Sequence, residues 1–111
     1  MILESVVERT LREKLNDYGF LVYKLYTPGH TGVMDRIIIR PRYSPGPPMF
    51  VELKRPKKKL RLLQRAVGED WARRGCRVLK PCTDIGEVEQ LCHDLIQEVM
   101  PDYMLARDNQ L

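Results

Sequence analysis

The sequence predicts an α/β fold, a mixed β-sheet sandwiched between helices, with elements in the order αβββαβα. Three observations carry this expectation. Apolar residues recur at helical spacing in three separate segments. Four short runs rich in β-branched and apolar residues lie between them, at 20–26, 35–40, 49–54 and 76–80. A helical segment separates the last two runs, so these should pair in parallel, whereas the loop between 35–40 and 49–54 suits antiparallel neighbours. A chain of 111 residues holds one domain around one core. Repeats, low-complexity segments and an internal boundary are absent from the sequence. The domain should span 1–100, with the polar stretch 101–111 as a loose C-terminal tail.

The first helix is expected over 2–17. Leu3, Val7, Leu11 and Leu15 recur at spacing four, joined by Ile2 and Val6, and Gly19 is a stop. Glu4 falls inside that apolar stripe and Glu8 at its edge, so Glu4 is the acid that needs an inward partner. Lys14 also falls in the stripe, near the helix end, where it can snorkel. The run 20–26 follows, then the turn cluster from Thr27 to Gly32, which contains His30. His30 reads as a surface loop residue or as a phosphate contact or proton shuttle. The second strand has Asp35 at its mouth. Four prolines and a glycine make 41–48 an irregular connection to the third strand.

Leu60, Leu63, Val67 and Trp71 mark the second helix, and Gly75 ends it. Gln64 shares the face of Leu60 and Val67. Trp71 reads as core. After the strand 76–80, Thr83 or Asp84 can cap a third helix whose apolar positions run from Ile85 to Val99.

Composition excludes several classes. No apolar run approaches the roughly 20 residues of a membrane span, and the amino end lacks a charged-then-apolar signal layout. Cys76, Cys82 and Cys92 show no metal-type spacing and read as small buried fillers, reduced in an intracellular protein. The net charge of +4 conceals an asymmetry: residues 51–80 hold eleven Lys/Arg, whereas 81–111 hold Arg107 alone against seven acids. Arg55, Lys57, Lys58, Lys59, Arg61 and Arg65 form either a solvated face or a phosphate-contacting one.

The chemistry centres on Met49-Phe50-Val51-Glu52-Leu53-Lys54. Residues two apart on a strand share a face, so Glu52 and Lys54 project with Phe50, and Val51 and Leu53 point the other way. A Glu and a Lys in an apolar strand are costly unless paired or bound to a metal. By itself, Glu-x-Lys also reads as a solvated cross-strand ion pair. Glu4, Asp35 and Glu52 converge from one helix and two strands. Three carboxylates, with the Leu53 carbonyl, suit Mg²⁺ or Mn²⁺. Lys54 can position or deprotonate an attacking water, or hold a phosphate.

Gly32-Val33-Met34-Asp35-Arg36, then Phe50-Val51-Glu52-Leu53-Lys54, then Gln64, resemble the VRR-NUC branch of the PD-(D/E)XK nucleases. The resemblance runs from the first helix to about Val99. It departs from the family at Met34, where a proline is usual; that changes turn stiffness, not metal ligation. It implies a restriction-endonuclease-like core in which Asp35 and Glu52 bind Mg²⁺ or Mn²⁺, Lys54 serves the attacking water, and Glu4 and Gln64 complete the site. Glu8, one turn further on, could take the place of Glu4. It also implies a homodimer that cuts branched DNA such as Holliday junctions, and an intracellular, phage-encoded protein. The readings set against it are a nuclease for flaps, nicks or DNA ends, and a non-catalytic basic DNA-binding module.

Overall fold

The computed structural model describes residues 4–26, 34–53 and 58–109, with the side chains of Glu4 and of residues 58–61 outside that description. The elements are α1 (Glu4–Asn16), β1 (Leu21–Lys24), β2 (Arg36–Ile39), β3 (Met49–Val51), α2 (Lys58–Arg73), β4 (Arg77–Val78) and α3 (Ile85–Asp108). This is the expected order αβββαβα. The four strands form one mixed sheet in the order β1-β2-β3-β4. β1–β2 and β2–β3 are antiparallel and β3–β4 is parallel, as a helical crossover between the last two requires.

Strand alternation divides the side chains between two faces. Val22, Ile38, Met49 and Val51 face a buried core with Val7, Leu11 and Leu15 of α1 and Val88, Cys92, Leu95 and Val99 of α3. Burying each such side chain contributes about 1.5–3 kcal/mol. The other face carries Phe50, whose ring meets Trp71 of α2 edge-on at 4.8 Å. α2 approaches the sheet closely: a Cβ on Gly68 would stand 3.2 Å from Val78 Cγ1. Leu21, Tyr23 and Ile39 remain exposed on the β1–β2 half of that face.

The helix ends follow from local sequence. Gly19 and Gly75 adopt φ of 88° and 97°, and Phe20 and Cys76 donate back to Leu15 and Trp71 across these left-handed turns. Asp84 is the N-cap of α3, accepting from the Glu87 N–H at 2.8 Å, while Glu87 accepts from the Thr83 N–H and hydroxyl.

Two expectations are corrected. The stretch beyond Pro101 is not loose; α3 continues through this proline to Asp108. Tertiary contacts hold it. The Ser44 hydroxyl donates to Asp102 at 2.7 Å, and the Tyr103 ring packs against Tyr18 and Tyr43. Pro101 lies on the exposed side, where the carbonyl left without a partner can take water. Second, of the three cysteines, Cys82 and Cys92 are buried but Cys76 is only half-buried, just past Gly75. The turn 27–32 with His30 lies outside the described residues.

Candidate active site

Arg36 of β2 stands level with Val51 of β3. One further step in that register places Asp35 opposite Glu52, both just beyond the paired strands. The ladder ends there because a side chain takes over from it: Asp35 Oδ1 accepts the Leu53 N–H at 3.0 Å. Arg36 holds Asp35 from the other side. Its Nη1 donates to the Asp35 carbonyl at 3.0 Å and lies 3.5 Å from Oδ2. Asp35 Oδ2 is buried and accepts no hydrogen bond among the described residues.

Glu52 projects to the Phe50 face, under α2, and only 7% of it is exposed. Gln64, also buried, donates from Nε2 to Glu52 Oε2 at 2.5 Å. The Glu52 carbonyl accepts the Cys82 N–H at 2.9 Å, so the chain leaving β4 braces the same residue. Leu53 turns inward to the core, as the period of two requires. Asp35, Glu52, Leu53 and Gln64 are thus brought together by two strand ends and one helix.

These residues fit a hard divalent cation. A buried carboxylate oxygen without a hydrogen bond is costly and suits a cation. Glu52, buried beside Asp35, adds a second carboxylate to the same strand ends. No group of three His, Cys, Asp or Glu close enough to hold a metal occurs among the described residues. Magnesium commonly uses one or two carboxylates with waters and substrate phosphate, so the pair meets that requirement.

The other candidates divide. Glu4 opens α1, with its side chain outside the description; Glu8 lies 3.9 Å from Arg12 in an i,i+4 pair. Lys54, Arg55 and Lys57 lie outside the described residues, as do the side chains of Lys58, Lys59 and Arg61 in the first turn of α2. Arg65 is well exposed and stands 3.4 Å from Glu69.

No family model and no curated protein matches the sequence. Among solved structures, one described as a VRR_NUC domain superposes with a TM-score of 0.62 at 28% identity, covering 81% of this chain and 94% of that one. The chain is therefore similar in fold and sequence to a VRR_NUC domain. Its mixed four-stranded sheet with flanking helices is the architecture that the sequence resemblance implied.

Two residues of this domain were given no part in the site by sequence reasoning. Arg36 is 3% exposed and reaches back to Asp35; Met34, 2% exposed, lines the cleft beside Glu52. Arg36 had a signal. Alternation along Arg36-Ile37-Ile38 sends it to the same side as the core residue Ile38, and a buried guanidinium needs a carboxylate.

Proposed function

We propose that this VRR-NUC protein is a metal-dependent endonuclease that hydrolyses phosphodiester bonds in branched or otherwise structured DNA. The observation that carries the reading is the pairing of Asp35 with Glu52 at adjacent strand ends, with Gln64 bonded to Glu52. The VRR-NUC likeness supports a nuclease.

In this reading Asp35, Glu52 and the Leu53 carbonyl hold Mg²⁺ or Mn²⁺, and Glu4 completes the shell, directly or through a water. The ion would neutralise charge on the phosphate and acidify a bound water. Lys54 orients the attacking water and takes up its proton. Gln64 keeps the Glu52 carboxylate turned toward the cleft. Arg55, Lys57, Lys58, Lys59, Arg61 and Arg65 contact backbone phosphates, which makes binding steeply salt-dependent and carries no base information.

A homodimer supplies selectivity, because a two-fold pair of sites matches the near symmetry of a four-way junction. Exposed apolar residues support association: Leu21, Tyr23 and Ile39 on the sheet, and Met104 and Leu105 on α3. Among the described residues no helix is long and apolar enough to cross a membrane.

The test is cleavage of labelled four-way junction, flap, nicked and plain duplex DNA with Mg²⁺ or Mn²⁺. Wild type should cut the branched substrates, and Glu52→Ala and Lys54→Ala should not. Equal products from wild type and both variants would defeat the enzyme reading and leave the DNA-binding module. Light scattering at assay concentration checks the dimer.

A further inference from the structure

The cleft beside Glu52 is larger than hydrolysis needs. It lies between α2 and the chain from Val78 to Thr83 and has a volume of about 830 Å³. Sites for organic ligands commonly span about 300–1,000 Å³. Glu52 and Gln64 form its polar part. Among the described residues, Met34, Leu62, Ala72, Val78, Leu79 and Pro81 line the rest, and none of these offers an ion or a phosphate a polar side chain. At the rim stand Arg65, Glu69 and Thr83.

We propose that this apolar part of the cleft receives an unpaired nucleobase of the DNA strand whose phosphate lies at Glu52. The inference rests on the nuclease reading above and names the feature of the substrate that the site selects. The lining decides against the sugar-phosphate chain as the occupant, because its described walls beyond the Glu52–Gln64 end are mostly apolar and Arg65 at the rim is already paired with Glu69. A nucleobase is neutral, its faces suit aliphatic side chains, and its edges carry donors and acceptors. The Arg65–Glu69 pair that could meet those edges is exposed on both partners, so exchanging it for a base edge costs little. The cavity is continuous with Glu52, and a base sits within one nucleotide of the phosphate it follows. A base stacked in a duplex cannot enter; one at a branch point, flap or frayed end can. The cavity therefore selects DNA by the presence of an unpaired nucleotide. Its described lining holds no aromatic ring, so base identity should matter little.

The experiment uses the full chain carrying Glu52→Gln, so that bound DNA stays intact. 2-Aminopurine is placed at the nucleotide next to the branch of a flap or junction. Binding is followed by anisotropy and base environment by emission. Emission should rise severalfold on binding, as the base leaves its stack. A second protein adds Ala72→Leu and Pro81→Leu, both at exposed positions lining the cavity. It should bind with similar affinity but lose the rise. Placed in the active protein, the same two changes should slow cutting of branched DNA by about tenfold or more and leave any residual cutting of plain duplex unchanged. Full binding without an emission change, or a rise that survives the filled cavity, overturns the proposal, as would a peptide-like ligand competing in place of DNA. The emission readouts need no cleavage, so they stand apart from the nuclease reading, which fails if wild type cuts no more than the Glu52→Ala and Lys54→Ala variants.

Discussion

Gln64 Nε2 donates to Glu52 Oε2 at 2.5 Å, joining the second turn of α2 to the end of β3 beneath it. Both residues are buried, so neither can find a substitute partner in water without moving. The bond fixes one of the two strand-end carboxylates on which the proposed chemistry turns, and it makes α2 part of the site.

Gln64→Ala should therefore lower cleavage by about 10–100-fold, the usual cost of losing a residue that orients a metal-binding side chain. Gln64→Glu should be worse, since it places a second carboxylate against Glu52 in a buried site. Single-turnover rates across a metal titration check this: the Ala variant should need more Mg²⁺ or Mn²⁺ to reach its maximum.

Asp35 has two separable roles. Asp35→Asn can still accept the Leu53 N–H through its remaining oxygen, so its melting temperature should stay near that of wild type while cleavage is lost. Asp35→Ala strands that buried N–H and should also cost about 1–3 kcal/mol of stability. Urea denaturation of the two variants separates architecture from chemistry. Equal destabilisation would mean that the bond to Leu53 carries no weight.

Arg36→Leu removes the guanidinium that stands 3.5 Å from Asp35 Oδ2. Breaking a buried pair by deleting one member costs about 3–5 kcal/mol. The variant should be strongly destabilised at neutral pH. Arg36→Leu combined with Asp35→Asn should recover part of that loss, because the uncompensated charge is gone. A double-mutant cycle by chemical denaturation measures the coupling.

Burial pushes the Cys82 and Cys92 thiols up from 9.0 to about 11, with the Glu87 carboxylate adding to the effect at Cys82. The folded state holds these protons more tightly than the unfolded chain. Their contribution to stability is complete below about pH 9 and is lost as pH rises toward 11. The melting temperature should fall across that interval, and fall less in a Cys82→Ala/Cys92→Ala variant. Under native conditions a thiol reagent should modify half-buried Cys76 first.

Deleting residues 101–111 removes the Tyr103 contacts and the Asp102 acceptor of Ser44. An aromatic pair is worth about 0.5–1.5 kcal/mol beyond its buried area. The truncated chain should melt several degrees lower by circular dichroism. An unchanged melting point would return this segment to the status of a tail.

The sequence by itself determined the elements, their order and the two sheet faces. Apolar spacing sets a helix or strand period, and the period sets which residues share a side. That reasoning placed Glu52 with Phe50, Leu53 with the core and Gln64 on the inner face of its helix. Glycines and the Asp84 cap marked helix ends because those conformations need those residues. Periodicity carries no information about which distant groups meet. Only the tertiary structure decided that the Asp35 side chain would replace a strand carbonyl, that Arg36 would fold back on it, and that Tyr103 would hold helix beyond Pro101. The cleft beside Glu52 belongs with these: its walls come from α2, β4 and the chain that follows, and a cavity is a property of packing rather than of any segment.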